Sequence, residues 1–453
     1  MTNKISYFAL ALLLVISSCA KSDDEKPPIE NPPTDTCPKL ENYVEAISDD
    51  DLLNKVQQQT LKYFWDFAEP NSGMSRERNS SGNLVTSGGT GFGIMAIIAG
   101  TSRGFVTRDA ATDRILKIFN FLDKADRFHG AWSHWIDGTT GKVIPFGTKD
   151  NGGDLIETAF LVQGIIAAKE YFDAATVKED SLRRMADSLW YAVEWDWYTN
   201  GQNALLWHWS PNYGFEMNMR ISGWNEGLIA YVLAASSPTH PISKAVYDQC
   251  WANNGNMKNG RSYFSIKLPL GQDFGGPLFF SHYSFLGLDP RGLSDQYANY
   301  WEQNVNHSKI NHQYAIVNPY GFCHYSDSCW GLTASDDPVK GYQSHAPYKN
   351  GGDDNGTITP TAALSSFPYT PAESMKALRF FYHRLHSKTW GNYGFYDAFN
   401  IGKNWYASSY LAIDQGPIVV MIENHRTGLI WNTFMKNQDI QNGLTTLEFS
   451  ITK

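Results

Sequence analysis

Two acidic residues stand where a glycine-rich loop meets an apolar segment. Asp154 and Glu157 are three residues apart at the start of the run 155–172, which is apolar almost all round, and on a helix they share one face. Asp and Glu are almost never fully buried unless they are paired, so this placement indicates a polar cavity at that end of the helix. Asp-x-x-Glu is also the pattern of a helix-capping box, and for Asp154 both interpretations stay open.

The same arrangement recurs further along the chain. Glu226 precedes the apolar run 228–235, and Asp414 shortly precedes the run 418–422. If these helices begin at one rim, the four carboxyl groups converge on a single cleft. For Asp414, a role as a helix cap is an equally good interpretation.

Amphipathic and apolar segments alternate along the chain. The amphipathic segments are 48–67, 109–124, 181–195, 242–251, 293–305 and 372–385, and the apolar ones are 94–99, 155–172, 228–235, 278–286, 357–367 and 418–422. Amphipathic helices can cover buried ones when helix pairs stand side by side around a ring. The predicted fold is therefore all-α: an (α/α)6 barrel of six inner and six outer helices with long rim loops.

Aromatic side chains are frequent in the polar loops of this chain, which has 15 Trp, 24 Tyr and 25 Phe. Their flat apolar faces suit the faces of sugar rings. The candidate substrate-binding residues are Trp132, Trp135, Trp207, His208, Trp209, Trp224 and Arg220. For each Trp, a place in the core is at least as good an interpretation.

Other loops carry no cofactor or metal signature. The glycine-rich stretch 87–93 lacks the preceding strand and the lysine of a phosphate-binding loop. The acidic pairs in the long loop 318–355 lack EF-hand spacing, and no cysteine spacing matches a zinc site. We expect no cofactor and no metal, and interpret 318–355 as an insertion that shapes the substrate site.

The net charge of -9, with scattered Lys and Arg, argues against nucleic acid as a partner. Residues 1–18 are typical of a signal peptide. The residues before Cys19 resemble a bacterial lipoprotein cleavage box, which implies that Cys19 carries the lipid. Residues 19–44 then form a tether, and 45–453 a single catalytic domain. The prediction is a monomer bound only by its lipid to the outer membrane of a Gram-negative bacterium, on its periplasmic or cell-surface face.

Five cysteines are present, and exported chains permit disulfides. Cys323 and Cys329 are close enough in sequence to close a small loop. A disulfide between them is the prediction, in preference to two free thiols.

Converging carboxyl groups with aromatic loops favour hydrolysis of glycosidic bonds. That reaction needs one carboxylic acid to protonate the leaving oxygen and one carboxylate to activate water or attack the sugar. An aromatic-walled site of low dielectric raises the pKa of the acid. Inverting and retaining enzymes differ in the distance between their two catalytic carboxyl groups. The sequence does not give this distance, so it does not decide between the two.

Several long motifs resemble the bacterial β-1,2-glucanases of glycoside hydrolase family 144, whose domain has been labelled "putative glucoamylase". They are Tyr63-Phe64-Trp65-Asp66, Gly88-Gly89-Thr90-Gly91-Phe92-Gly93, Gly152-Gly153-Asp154-Leu155-Ile156-Glu157-Thr158-Ala159-Phe160, Gly223-Trp224-Asn225-Glu226-Gly227, and Asp414-Gln415-Gly416-Pro417 with Glu423-Asn424. The resemblance covers roughly residues 45–440. It implies an (α/α)6 barrel, hydrolysis of linear β-1,2-glucan with inversion, no metal, and Asp154, Glu157 and Glu226 as essential acids.

We interpret Glu226 as the leading catalytic carboxyl group, on the acid side. Glu157 and Asp154 would position the sugar or the water, and Asp414 is a candidate base. The predicted enzyme is an endo-β-1,2-glucanase. The alternatives are an exo-acting hydrolase that releases sophorose, or a surface lipoprotein that binds glycan without cleaving it. A polysaccharide lyase would need a cluster of basic residues, and no such cluster is evident in the sequence.

Overall fold

The computed structural model describes residues 37–349 and 352–452. The predicted signal peptide, Cys19 and the tether up to residue 36 lie outside the described residues. The fold is mostly helical, with 44% of residues in helices, which confirms the predicted dominance of helices. No helix in the described ranges is both long and apolar enough to cross a lipid bilayer.

The α-helices of the described chain vary from a single turn to five turns. They are α1 Asp49–Trp65, α2 Ser87–Ser102, α3 Arg108–Leu122, α4 Leu155–Tyr171, α5 Val177–Tyr191, α6 Leu228–Ser236, α7 Lys244–Val246, α8 Tyr300–Val317, α9 Pro360–Leu364, α10 Pro371–Arg384, α11 His386–Thr389, α12 Ala412–Arg426, α13 Leu429–Phe434 and α14 Gln438–Thr446.

The strands are short and lie in the connections between helices. They are β1 Leu84–Thr86, β2 Trp135–Asp137, β3 Val143–Ile144, β4 Gly153–Asp154, β5 His208–Trp209, β6 Ser262–Tyr263, β7 Ile266–Lys267, β8 Leu293–Ser294, β9 Ala334–Asp337, β10 Gly341–Ser344, β11 Trp390–Gly391, β12 Gly394–Phe395, β13 Phe399–Asn400, β14 Trp405–Tyr406 and β15 Ser450–Ile451. Strands β1, β2 and β3 form one antiparallel sheet, and the others pair as β4–β5, β6–β7, β8–β15, β9–β10, β11–β12 and β13–β14.

The apolar helices contact one another in a closed circuit. Helix α2 packs against α4 and α12, α4 against α6, and α12 against α9. The segment 278–285 completes the circuit, because Ile229 N–H of α6 donates to Ser284 Oγ (3.0 Å) and His282 lies 3.0 Å from Ser366, just after α9. On the outside, α1 packs on α2 and α12, α3 on α5, α5 on α4, and α10 on α9. The inner helices therefore form a layer that amphipathic helices cover.

The glycines of α2 serve close helix packing. Although the sequence favours a loop over 87–93, α2 already begins at Ser87. A Cβ on Gly91 would lie 2.1 Å from the backbone oxygen of Phe160, and one on Gly164 of α4 would lie 2.3 Å from the oxygen of Gly91. The two backbones approach so closely that neither position has room for a side chain.

Four predicted helices differ from the observed ones. The segment 278–286 forms two 3-10 turns, Leu278–Ser281 and Tyr283–Phe285. Segment 242–251 is one α-turn that continues as a π-helix, and only Pro360–Leu364 of 357–367 is α-helical. Helix α8 begins only at Tyr300, because Asn299 caps it by accepting from Glu302 N–H (2.9 Å).

The predicted disulfide between Cys323 and Cys329 is wrong. Cys323 pairs with Cys37, whereas Cys329 is a free thiol buried in the core. The physical reason is that Cys329 points inward, whereas Cys323 meets the incoming N-terminal segment, whose Pro38 carbonyl accepts from the ring of His324 (3.0 Å). From Cys37 onward the chain lies against the domain, where Tyr43 N–H donates to His383 O (2.9 Å).

Candidate active site

Strands β4 and β5 place Asp154 at the start of α4. A Cβ on Gly152 would lie 2.2 Å from Trp209 O, and one on Gly153 would lie 1.9 Å from Tyr198 Oη, so glycine is needed at both positions. Asp154 caps α4 through Oδ1, which accepts from Ile156 N–H and Glu157 N–H (both 3.0 Å). Its second oxygen, Oδ2, is left for the site, so Asp154 both caps the helix and faces the cluster.

Glu157 belongs to α4, but its carboxylate lies at the N-terminus of a second helix, α2. Its Oε2 accepts from Gly88 N–H (2.7 Å) and from Thr86 Oγ1 (3.1 Å), and a helix N-terminus favours negative charge. Gly88 is required there, because a Cβ would lie 2.7 Å from the same carboxylate oxygen. Burial nevertheless raises the pKa of Glu157.

His134 bridges the two acids. Its Nδ1 lies 3.3 Å from Asp154 Oδ2 and its Nε2 lies 3.8 Å from Glu157 Oε1. Burial by itself would lower the pKa of His134, but the charge of Glu157 and the hydrogen bond to Asp154 outweigh it and raise the pKa to about 9. Burial likewise opposes the ionised form of Asp154, but its hydrogen bond with His134 lowers the pKa below the usual range. An imidazolium therefore balances the carboxylates at neutral pH.

Asp150 and His208 extend this cluster. His208 Nε2 lies 3.4 Å from Asp150 Oδ2 and 3.7 Å from Asp154 Oδ2. Burial and the charge of Asp154 raise the pKa of Asp150 to about 7, whereas burial lowers the pKa of His208. Asp150, Asp154, Glu157, His134 and His208 are hereafter called the first acid cluster.

A cation could be held by part of this cluster. His134, Asp150 and Asp154 each offer one ligand atom, and these atoms lie within 4.8 Å of one another. A metal would have to displace the proton that His134 holds up to about pH 9, because only a neutral imidazole is a ligand. The trio therefore fits a carboxylate–imidazolium cluster better than a resident metal.

Glu226 lies in the turn before α6, not inside its first turn, since Gly227 is the N-cap. The backbone carbonyl of Glu226 accepts from Ser284 Oγ of the neighbouring segment. Burial raises the pKa of its carboxyl to about 7, with further contributions from the charges of Asp154 and Glu157. The next residue, Gly227, contacts the first turn of α4, because a Cβ there would lie 3.0 Å from Ile156 Cδ1, so the structure brings Glu226 to the first acid cluster.

Asp414 lies in the first turn of α12 and has a different environment. It is 1% exposed, and neither carboxylate oxygen accepts a hydrogen bond from a fixed donor. Its neighbour is Asp397, whose Oδ2 accepts from Asp336 N–H (2.6 Å). Burial and the charge of Asp397 raise the pKa of Asp414 well above the ordinary value, while burial and the charge of Asp336 raise that of Asp397 to about 7. We call Asp397 and Asp414 the second acid pair.

The start of α2 lies between the two acid groups. A Cβ on Gly88 would lie 2.7 Å from Glu157 Oε2, and one on Gly89 would lie 2.6 Å from the Cβ of Ala412, where the helix of Asp414 begins. Tyr283 packs against α2 and α4 through Phe92 and Phe160, and Arg78 lies beside the second acid pair and contacts Asp336 (3.1 Å). The acids at the starts of α4 and α12 therefore border one region around the start of α2.

The predicted aromatic residues divide into two groups. Trp132 is 0% exposed, and its Nε1 donates to Leu122 O (3.2 Å); a role in sugar binding is wrong for this residue, because its ring is inside the core. Trp224 is also buried, against Trp251 and Phe285, which corrects that prediction as well.

The remaining predicted residues are accessible except His208. Trp135, Trp207 and Trp209 are half-buried, whereas His208 is buried at the edge of the site. Trp135 contacts Phe146, whose ring stacks on His134 (4.3 Å). Arg220 is exposed and donates to Gln202 Oε1 (2.6 Å), so its contact is with a surface residue.

Several residues of this region escape prediction from the sequence. His134 stands between two Trp residues and Asp150 directly precedes the Gly-Gly loop, so both lie within stretches that the sequence marks. Asp397, Arg78 and Tyr283 lie in no such stretch. Only the fold brings them to the acids.

Comparisons with known proteins find similar sequences. The family model described as "Glycoamylase: Putative glucoamylase" matches residues 218–438. An exo-β-1,2-glucooligosaccharide sophorohydrolase (non-reducing end) of Parabacteroides distasonis is 47% identical over 423 residues, which are 89% of this chain and 58% of that relative. The chain thus spans less than two thirds of the length of this curated relative.

Solved structures match over nearly their whole chains. An endo-β-1,2-glucanase from Chitinophaga pinensis, in complex with sophorotriose and glucose, is 52% identical with a TM-score of 0.87 and covers 89% of this chain and 99% of its own. A "putative glucoamylase" from Bacteroides uniformis is 54% identical with a TM-score of 0.88, over 90% and 99%. An endo-β-1,2-glucanase mutant from Talaromyces funiculosus is 11% identical, over 88% and 92%, with a TM-score of 0.62, and shares the fold.

Proposed function

The chain belongs to the glycoamylase-like family of glycoside hydrolases, and we propose that it hydrolyses linear β-1,2-glucan at internal bonds, with inversion at the anomeric carbon. The observation that carries the proposal is Glu226, a carboxyl group whose pKa is raised to about 7 beside an ionised cluster. Glycoside hydrolysis requires this combination of a protonated acid and a carboxylate.

Glu226 is the proposed general acid. Its proton passes to the glycosidic oxygen as the bond to the anomeric carbon breaks. The first acid cluster, with Asp154 ionised and His134 protonated, offers acceptors and a donor that position the sugar or the attacking water.

The base must be ionised before water attacks. The pKa of Asp414 is raised well above its usual range, whereas that of Asp397 is raised to about 7, so the second acid pair carries a negative charge on Asp397 above about pH 7. We therefore assign the base role to the pair, which takes up the proton that the water loses. Each turnover consumes one water; Glu226 then regains a proton from solvent, and the pair returns its extra proton to solvent.

Internal cleavage is favoured by the match to the endo-acting enzyme of Chitinophaga pinensis, which is 52% identical over 99% of that chain. Release of sophorose from chain ends is the second candidate, because the curated relative that is 47% identical acts in that way. The two modes differ in the products that appear first.

Time-resolved product analysis tests the proposal. Purified protein is incubated with linear β-1,2-glucan, laminarin and starch, and products are separated by size. We expect a ladder of oligosaccharides and a rapid fall in polymer length from β-1,2-glucan alone. Sophorose as the sole early product would establish the exo mode instead, and the absence of new reducing ends with any glucan would leave a glycan-binding protein.

The pH dependence of the reaction follows from Glu226. Because its pKa is raised, Glu226 is protonated below about pH 7 and loses its proton as the pH rises through that value, whereas the second acid pair is ionised above about pH 7. We expect kcat/KM to be greatest near pH 7 and to fall about tenfold per pH unit well above it. Initial rates across pH 5–9 measure this, with circular dichroism at each pH as the control for folding, and a rate that keeps rising above pH 8 would contradict it.

The contacts of the inner helices support an (α/α)6 barrel as the architecture. The circuit α2, α4, α6, 278–285, α9 and α12 closes on itself, and α1, α3, α5 and α10 flank it. Lipid attachment at Cys19, the outer-membrane location and the monomeric state stay predictions from the sequence.

A further inference from the structure

A cavity of about 370 Å³ lies apart from the acid groups. It is formed where the chain leaves α5 and begins its connection to α6. Residues that line it include Trp197, Phe215, Glu194, Asp196, Asn200 and His240. Its volume is within the range of about 300–1,000 Å³ that small-molecule sites occupy.

Strand β5 separates this cavity from the first acid cluster. Successive side chains of a strand point to opposite faces: His208 faces Asp150 and Asp154, whereas the ring of Trp209 contacts His129 (4.8 Å). His129 in turn stacks on Trp197 (3.7 Å, 15° between planes). The cavity is therefore behind β5, on the side away from the acids.

Trp197 is held as an exposed platform. All tryptophans lie in the described part of the chain, and Trp197, at 42%, is the exposed one among them. His129 supports one face of the indole and is itself fixed by Glu194, whose Oε2 lies 3.0 Å from His129 Nδ1. Asp196 accepts from Trp197 N–H (3.0 Å). His129 thus covers one side of the indole, and the exposed part is available to stack on a flat apolar ligand face.

Polar groups surround the platform. The carboxylates of Glu194 and Asp196 and the amide of Asn200 line the same cavity, and Asp196 also contacts His240 (3.0 Å). Carboxylates accept strong hydrogen bonds from hydroxyl groups. They disfavour an anionic ligand, and a purely apolar ligand would make no use of these acceptors. A neutral ring with an apolar face and several hydroxyls can use both the indole and the polar groups.

We propose that this cavity is a second glucan-binding site, in which a sugar ring stacks on Trp197. The inference rests on the proposed function for its choice of polymer. Strand β5 lies between the cavity and the first acid cluster, so a chain long enough to pass the edge of this strand can engage both together. Joint engagement raises the effective affinity for long chains, whereas a short oligosaccharide gains nothing from the second site.

Affinity electrophoresis measures binding at this site without turnover. Full-length Glu226→Gln protein is run in native gels that contain linear β-1,2-glucan, laminarin or starch, with and without Trp197→Ala. We expect β-1,2-glucan to retard the protein with Trp197 and to retard the Trp197→Ala variant about three- to tenfold less, as the loss of one aromatic contact implies. Equal retardation of the two variants, or dependence on Trp197 with another glucan only, would overturn the proposal.

Kinetics with the otherwise unaltered enzyme provide the second measurement. Trp197→Ala is expected to raise KM for polymeric β-1,2-glucan about three- to tenfold, while kcat and the parameters for sophorotriose stay the same. Tyr43→Ala is the matched control, since Tyr43 is a similarly exposed ring that also stacks on a histidine, His386. An equal KM in Trp197→Ala and Tyr43→Ala would contradict the site. If the proposed function itself is wrong, the unaltered enzyme will not cleave β-1,2-glucan.

Discussion

Glu226→Gln is expected to lower the turnover of β-1,2-glucan by about 10²- to 10⁴-fold, the contribution typical of a general acid. The amide has the shape of the protonated carboxyl but no proton to give. Since the side chain lies in a turn before α6, the exchange leaves the packing of the inner helices intact. Initial rates of reducing-end formation measure the effect.

Glu216→Gln is the matched control for this substitution. Glu216 belongs to the same connection between α5 and α6, but it is exposed and pairs with Lys149 (2.7 Å), and we expect its loss to leave turnover unchanged. If Glu226→Gln folds and keeps its turnover, Glu226 is not the acid.

Gly91→Ala is expected to destabilise the fold by about 3 kcal/mol, at the upper end of what overpacking costs. The new methyl group would lie 2.1 Å from Phe160 O and 2.6 Å from Leu161 Cα. Backbone atoms cannot move aside as a flexible side chain can, so α2 and α4 must separate. Chemical denaturation followed by circular dichroism measures the change in the free energy of unfolding.

Gly147→Ala serves as the control for the chemical change itself. A Cβ at Gly147 has only the Asp150 Cβ nearby, at 3.9 Å, and we expect an effect within about 0.5 kcal/mol. Equal stabilities of Gly91→Ala and Gly147→Ala would show that the contact between α2 and α4 is looser than described.

The helical class and the acid positions follow from residue patterns, because both depend on local periodicity. Asp154 satisfies both of its interpretations at once, since one carboxylate oxygen caps α4 and the other faces His134. The capping box and the catalytic cluster are therefore not alternatives. A sequence pattern does not show that the two oxygens of one carboxylate have different roles.

Other features depend on contacts between distant segments. The glycines at 88 and 91 are typical of a loop in the sequence, yet both lie in a helix. Glycine is needed there because Glu157 lies against Gly88 and Phe160 lies against Gly91. Trp132 carries the same sequence signal as Trp135, but only the fold distinguishes the buried ring from the accessible one. Cys323 likewise finds its partner 286 residues away, a choice that spacing along the chain does not determine.

The bond between Cys37 and Cys323 makes most of the protein a covalent ring. Asp154, Glu157 and Glu226 lie within that ring, whereas Asp414 lies beyond it. A single proteolytic nick inside the ring releases no fragment under non-reducing conditions, because both pieces stay linked through sulfur. A nick between residues 323 and 414 frees the piece that carries Asp414 from any covalent link, and the packing of α12 against α1 and α2, of α13 against α4 and of α14 against α6 then keeps Asp414 with the other acids.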